Sequence, residues 1–411
     1  MDRLLLPLLE SVHFRTARPK AVLLVGPRGS GKTTLAKQLQ ERRGSPGLYA
    51  SWDDPEFRRQ ATASPYGFID SFQPLFFKKV LAVIDEIDKL PRWIHYIKEL
   101  RKTHGDAADV IAVSSNDIAI SGPASAGLQA CCRRYRLHPL CLSEILRVGF
   151  SQEKDTPQHV LENITKNPPN PGRRSQEAFA ALLRFGGFPE PFQSQSERRH
   201  GLWLRQRQTG LVREDLRDFS RIQMLSSVEQ LITLLQARVG APLSFNGLRR
   251  QLGVNIASAR LWVRRLERLH YCFPVTPFPG ALERCLRHAP KFYLYDWSES
   301  TDAERRFENL VACALKRWCD FCEDWGQPRL NMHYVRDKEK REAQFLLTIA
   351  GRPRLLIGTI VERAAPRRAL RYFSQRLGQV PAVLVCAKPI PPGADDKVQV
   401  LPAASFLAAI P

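Results

Sequence analysis

The sequence predicts an α/β fold that opens with a parallel sheet carrying a phosphate-binding loop, and three observations lead there. In AVLLVGPRGSGKTTLAKQLQE (residues 21–41) an apolar run breaks into a glycine-rich turn and resumes with helical periodicity. In VLAVIDEID (residues 80–88) an all-apolar run ends in an acidic pair. To about Glu144, short apolar runs alternate with helical patterns, the signature of a parallel sheet with helices on both faces.

The glycine-rich turn fills every position of G-x-x-x-x-G-K-[ST] with Gly26, Gly31, Lys32 and Thr33, and Gly29 adds a third glycine. Glycines let backbone N–H groups close around phosphate oxygens that a Cβ would hold off. Gly26, Pro27, Arg28, Gly29, Ser30, Gly31, Lys32, Thr33 and Thr34 therefore form the candidate ATP cradle. Lys32 is expected to reach the β- and γ-phosphates and Thr33 to hold Mg²⁺, while the free amides of the following helical turn complete the anion site. An ordinary glycine turn is the alternative, and the filling of every motif position between strand and helix weighs against it.

Four strands are expected in this segment: Ala21 to Val25, Gly47 to Ser51, Val80 to Ile84 and Val110 to Ser114. Ligands in such sheets gather at the carboxyl ends of the strands. There the third strand ends in Asp85, placed to sit near Mg²⁺, and Glu86, placed to polarise the attacking water. An acidic pair after a strand also serves as a helix N-terminal charge; the upstream phosphate loop favours the catalytic reading. After the fourth strand come Ser114, Ser115 and Asn116. Ser114 either contacts the γ-phosphate or the water, or satisfies its own loop backbone.

At 411 residues the chain is long enough for several domains, and 44% hydrophobic with 25% charged residues fits a globular protein rather than long-range disorder. A net charge of +21 favours polyanionic partners, nucleic acid foremost or an acidic membrane surface. Nine cysteines at irregular spacing, with Cys131 and Cys132 adjacent, do not form a secreted disulfide framework, so a cytoplasmic, reducing compartment is expected. No apolar run reaches eighteen residues, so no membrane-spanning helix is expected, and the expected partner is DNA rather than a membrane.

The runs GPRGSGKTTL (26–35), SWDDPE (51–56), VIDEIDK (83–89), YRLHPLCLSEIL (135–146), FGGFPEPF (185–192) and VREDLRDFSRI (212–222) together resemble a group of prokaryotic AAA-type ATP-binding proteins. The resemblance implies a P-loop NTPase core of AAA type, a helical lid, a winged helix and a restriction-endonuclease-like tail. It also implies a homo-oligomer, with a hexamer as one form, whose site is completed by an arginine from the next subunit. Members commonly show Gly-Arg just before YRLHPL, and this chain has Ala130 and Cys131, so that arginine has no counterpart here.

The resulting division is a core over 1–145, a lid over 146–226 with a flexible insert at 151–176, a winged helix over 227–296 and a tail over 297–411. The insert is polar and contains Pro168, Pro169, Asn170, Pro171 and Gly172 in a row. Helical patterns then run from Glu177 to Ser226, with Gly186, Gly187 and Pro189 as a fixed turn. Arg213 and Arg217 are either phosphate-reaching arginines or charges on a solvated face.

SFNGLRRQLG followed by IASARLWVRRLERL has helix-turn-helix spacing, and HYCFPVTPF with KFYLYD supplies the wing. On the second helix Arg260, Arg264 and Arg268 are four apart and share a face, as a DNA-tracking stripe or as a solvated one. In the tail, related sequences carry an aspartate where this chain has Gln344, and Glu-Val-Lys where it has Gly358, Thr359 and Ile360. A nuclease of that type needs carboxylates for Mg²⁺ and a lysine, so the tail is expected to be inactive. Cys319 and Cys322 are read as core residues of an amphipathic helix, and His138 as a packing residue.

The expected function is Mg²⁺-ATP hydrolysis coupled to remodelling of, or movement on, DNA, with branched DNA as a candidate substrate. The alternative is a STAND-like signalling or defence switch without motor activity.

Overall fold

Five parallel strands form the first sheet of the computed structural model, which describes residues 3–14, 20–43, 47–63, 80–105, 108–117, 128–150, 154–211, 222–279, 289–362, 367–388 and 397–411. The chain divides into two compact units, Met1–His138 with Arg268–His270, and Pro139–Glu267 with Tyr271–Pro411. In the first unit β1 (Ala21–Val25), β2 (Gly47–Ser51), β3 (Val80–Asp85), β4 (Ala108–Ser114) and β5 (Cys132–Arg136) lie in the order β2-β3-β4-β1-β5. Every neighbouring pair is parallel.

The inner strands β1, β3 and β4 are buried at every residue, because helices cover both faces of a parallel sheet, and they read as apolar runs interrupted only by Asp109 near the start of β4 and by Asp85 and Ser114 at the carboxyl ends. The edge strands have partly exposed positions instead. In β5 Cys132 and Tyr135 point inward while Arg133, Arg134 and Arg136 are partly exposed, so this strand has no apolar run to mark it. The helices α1 (Lys32–Arg43), α2 (Pro55–Ala63) and α3 (Trp93–His104) pack on the sheet through Leu35 and Leu39, Phe57 and Ala61, and Ile97 and Leu100. Since β4 lies between β1 and β3, the carboxyl ends of these three strands converge on one edge.

The second unit begins with the helices α4 (Leu142–Leu146), α5 (Pro157–Lys166), α6 (Arg173–Phe185), α7 (Pro189–Ser194), α8 (Glu197–Gly210) and α9 (Ile222–Ala237). The segment 151–176, expected as a flexible loop, contains α5 and the start of α6. The Thr156 hydroxyl caps the His159 amide at 3.3 Å, Pro157 occupies the first turn, and Val160, Leu161 and Ile164 make a buried stripe. The proline cluster only joins α5 to α6. At the α6–α7 turn a Cβ on Gly187 would come within 2.6 Å of the Trp297 ring and 2.7 Å of the Leu140 carbonyl. The turn thus needs a residue without a side chain.

Two helices then appear where helix-turn-helix spacing places them. α10 (Phe245–Leu252) is capped by Ser244 and ended by Gly253, and α11 (Ile256–Arg268) is capped by Asn255, whose Oδ1 accepts from the Ser258 amide at 2.8 Å. β6 (Cys272–Pro277) and β7 (Lys291–Leu294) form the antiparallel hairpin that follows.

That hairpin is not a free wing. β6 also pairs in parallel with β8 (Leu330–Arg336), through Thr276 with His333 and Pro277 with Tyr334. β9 (Glu342–Ile349), β10 (Arg352–Ile360), β11 (Ala382–Cys386) and β12 (Gln399–Pro402) extend the sheet in the order β12-β11-β10-β9-β8-β6-β7. β8, β9 and β10 are antiparallel, and β10, β11 and β12 parallel. α12 (Ala303–Asp324) precedes this sheet in the chain, α13 (Arg367–Arg376) connects β10 to β11, and α14 (Ala403–Ala408) follows β12.

The outer edge of β7 is closed by backbone from Gly240 and Leu243, whose amides donate to Phe292 O at 3.1 Å and Pro290 O at 2.9 Å, and at Leu294 by a side chain. Asn309 of α12 accepts from the Leu294 amide at 2.8 Å and donates to the Leu294 carbonyl at 2.7 Å, replacing a strand neighbour. Lys291, fully buried on β7, donates to Glu342 of β9 and lies 3.8 Å from Glu308 of α12. Cys322 is buried and Cys319 partly buried on α12, as the amphipathic pattern requires. No described helix is long and apolar enough to cross a membrane.

Candidate nucleotide site and basic helix

The loop after β1 turns back on itself at Gly26, whose φ is +156° and whose Cβ, were there one, would lie 2.2 Å from the Leu137 carbonyl oxygen. Only glycine fits both constraints. Ser30 donates its amide to Pro27 O at 3.1 Å, and Leu35 donates to Gly31 O at 2.9 Å as the helix begins. Arg28, Gly29 and Thr34 are exposed, Pro27 and Ser30 are buried, and the Ser30 hydroxyl has no hydrogen-bond partner among the described residues.

Lys32 folds over this loop. Its Nζ donates to Gly26 O at 2.9 Å, Pro27 O at 3.0 Å and Ser115 Oγ at 3.0 Å, which uses all three of its donors. Burial pushes its pKa down to about 8, against the pull of Glu86 and Asp85.

Asp85 is held by three donors. Its Oδ2 accepts from Thr33 Oγ1 at 2.6 Å and from the Tyr49 hydroxyl at 2.9 Å, and its Oδ1 accepts from the Glu86 amide at 2.9 Å. Tyr49 is an addition to the expected set; it stands on β2, where an exposed tyrosine on an edge strand carries no sequence signal. Burial and the neighbouring Asp85 carboxylate raise its pKa.

Glu86 leaves the strand with φ 54°, a left-handed conformation uncommon outside glycine, which turns its side chain away from the strand direction. Burial raises its pKa, and Lys89, with Nζ at 3.3 Å, opposes the shift. Lys89 also reaches Asp53 at 2.8 Å, so the acidic turn after β2 is tied to the acid pair after β3.

The polar trio after β4 divides. Ser114 Oγ donates to Asn116 O at 2.7 Å and accepts from the Asn116 amide at 3.0 Å, so its hydroxyl closes a local turn and the contact with the loop lysine falls to Ser115. Among the expected site residues, Lys32, Thr33, Asp85 and Glu86 share one corner, and Ser114 stands behind it, buried.

On α11 Ala259, Trp262, Val263 and Leu266 are buried, while Arg260, Arg264 and Arg268 are exposed. None of these three arginines has a carboxylate partner among the described residues. Arg260 lies 5.5 Å from the Phe245 ring centre, and Arg264 Nε donates to Arg260 O at 3.4 Å. Arg213 and Arg217 fall outside the described residues.

Comparison with known proteins adds a family for the first segment. Residues 18–146 match an AAA domain, and residues 176–298 match a domain of unknown function, DUF8612. The replication factor C large subunit of Methanococcus aeolicus is 27% identical over 155 residues, which is 36% of this chain and 32% of that protein. The chain thus spans about a third of this relative's length. Among solved structures, the Thermotoga maritima RuvB Holliday junction branch migration motor is similar with a TM-score of 0.31 at 17% identity, covering 66% of this chain and 87% of that one. C. elegans PCH-2 gives 0.28 at 18% identity, covering 46% and 61%.

The chain therefore carries an AAA-type domain, and its five-stranded parallel sheet is that of a P-loop NTPase.

Proposed function

We propose that this protein hydrolyses ATP with Mg²⁺ and uses the cycle to remodel or move along DNA, as a homo-oligomer. The observation that carries the ATPase reading is the corner formed by Lys32, Thr33, Asp85 and Glu86. Thr33 and Asp85, joined at 2.6 Å, are the hard oxygen donors that a small divalent cation takes, and the Ser30 hydroxyl, unpartnered among the described residues, lies inside the loop. Thr33 and Asp85 would hold Mg²⁺, which would supply positive charge to offset that developing on the phosphate oxygens. Lys32 exchanges its loop carbonyls for phosphate oxygens, and Glu86 orients water and takes its proton.

Support for DNA comes from charge. Residues 227–296 hold ten Lys and Arg against four Asp and Glu, and the stripe on α11 has no internal counter-charge among the described residues. The names of the relatives, a replication factor subunit and a branch migration motor, agree with a DNA substrate, branched DNA included. The tail's order of helix, antiparallel meander, helix and parallel strand supports a nuclease-like ancestry. Gln344, Gly358, Thr359 and Ile360 support an inactive one. So does Glu304 of α12, whose two carboxylate oxygens accept from the Val361 and Glu362 amides at 2.9 and 3.0 Å.

One observation favours a slow switch over a motor. The Glu86 carboxylate is already ion-paired with Lys89, and a water-orienting group so engaged turns over slowly until released. ATPase rates with no DNA, linear duplex, single strand and a four-way junction separate the two readings. Stimulation by DNA is expected, with ATP-promoted assembly seen in sedimentation of Glu86→Gln. A rate that no DNA changes would leave the switch.

A further inference from the structure

Arg3 is only 5% exposed, and nothing in the hydrolytic corner accounts for it. A buried guanidinium is costly unless its N–H groups are bonded, so its partners should reveal its role. Arg3 Nη1 donates to the carbonyl of Ser30 at 2.8 Å, and Nη2 donates to the carbonyl of His138. Ser30 is in the phosphate loop. His138 belongs to the LHPL run after β5, beside Leu137, whose amide donates to Val25 O at 2.8 Å and whose carbonyl packs against Gly26. One side chain thus pins the loop and the segment beneath it. Arg3 is itself anchored, since its carbonyl accepts from Leu6 N at 3.0 Å and Leu5, Leu6 and Leu8 are buried.

The grip has a direction. In a trans peptide the C=O and N–H point opposite ways, so holding the Ser30 carbonyl inward turns the Gly31 N–H outward. That N–H donates to no group among the described residues and begins the run of free amides at the start of α1. A fixed cation behind the loop also adds to the positive potential of the helix end.

We propose that Arg3 is a positioning residue for the phosphate loop: by gripping the Ser30 carbonyl it holds the Gly31 N–H ready for a nucleotide polyphosphate, so the N-terminal segment sets nucleotide affinity without touching the ligand. This rests on the nucleotide reading of the loop.

The test is fluorescent ATP binding and steady-state ATPase with the full chain, comparing wild type, Arg3→Ala and Arg3→Lys, with melting temperature in parallel. Arg3→Ala is expected to weaken ATP about tenfold to a hundredfold, as loss of a charge-assisted hydrogen bond does, with kcat at saturating ATP within about twofold. Arg3→Lys, which keeps the charge and loses the fork, should fall between. Added methylguanidinium should restore ATP affinity in Arg3→Ala and leave the wild type unchanged. If Arg3→Ala does not fold, Arg3→Lys and its split of KM from kcat decide. Unchanged ATP affinity in a folded variant would overturn the inference, as would a loss of affinity that only follows a fall in melting temperature. No ATP binding by the wild type would instead overturn the nucleotide reading, and this inference with it.

Discussion

Replacing Arg260, Arg264 and Arg268 together by glutamine isolates the role of the stripe on α11, because all three are exposed and lack carboxylate partners among the described residues. Each phosphate contact on duplex DNA contributes about 0.9 to the slope of log affinity against log salt, so three contacts contribute about 2.7. Over a fourfold rise in salt, from about 50 to 200 mM, the wild type should then lose about fortyfold more affinity than the variant. The fold should hold, since exposed substitutions shift stability by about 0.5 kcal/mol and the lost Arg260 contact with Phe245 adds at most about 1. Binding of a fluorescent duplex across a salt series, with circular dichroism as the folding control, makes the measurement. Basal ATPase should be unchanged and its DNA stimulation lost. Equal slopes and equal affinities would show that the stripe is a solvated face and that the DNA reading has lost its main support.

Lys32→Ala should abolish nucleotide binding, whereas Glu86→Gln should bind ATP normally and lose turnover, since one removes a phosphate contact and the other only the water-orienting group; filter binding with single-turnover kinetics decides, and normal hydrolysis by Glu86→Gln removes that residue from the mechanism. Lys291→Met should destabilise the second unit by about 3 kcal/mol, because Glu342 and Glu308 lose their buried counter-charge, and adding Glu308→Gln and Glu342→Gln should recover part of it. Urea denaturation reads this, and a single variant as stable as wild type would mean that the carboxylates stay hydrated without Lys291.

The phosphate loop is legible in sequence because its chemistry fixes residue types at fixed spacing: glycine where a Cβ would strike Leu137 O, then lysine and threonine at the helix start. The inner strands are legible because burial on both faces favours apolar residues along most of their length, the exception near the start of β4, Asp109, being paired with Arg43 at 2.8 Å. β5 is not, since an edge strand tolerates Arg133, Arg134 and Arg136 on its open side. α5 is hidden by its neighbours, a polar stretch before it and four prolines and glycines after it, although Thr156-Pro157 is an N-terminal helix signal. At the site, Asp85 and Glu86 can be read from sequence, but Tyr49, Lys89, Asp53 and Arg3 cannot. Each is tied to the corner by contacts that the folded backbone creates, and a tyrosine or arginine in isolation carries no position code. Ser114 and Ser115 show the limit most clearly: adjacent serines at a strand end look alike, and only the backbone turn decides which one meets Lys32.

The sharing of β6 changes what the tail is for. A hairpin whose strand is bonded on one edge to β7 and on the other to β8 cannot swing independently of the sheet, and Phe278 N adds a further bond to Tyr334 O at 2.9 Å. Tyr334 in turn donates to Ala289 O at 2.8 Å, on the far side of the hairpin loop, and Lys291 binds β7 to β9. Force applied to the hairpin therefore spreads into seven strands rather than into a linker. On the reading of the tail as catalytically inactive, residues 297–411 still have a mechanical role, because they supply the strand that completes β6 and the helix whose Asn309 closes β7 at Leu294. Removing them would strip β8 from the edge of β6 and uncover Leu294 on β7, leaving exposed strand backbone where both are now bonded. The tail thus belongs to the same sheet as the hairpin that follows α11.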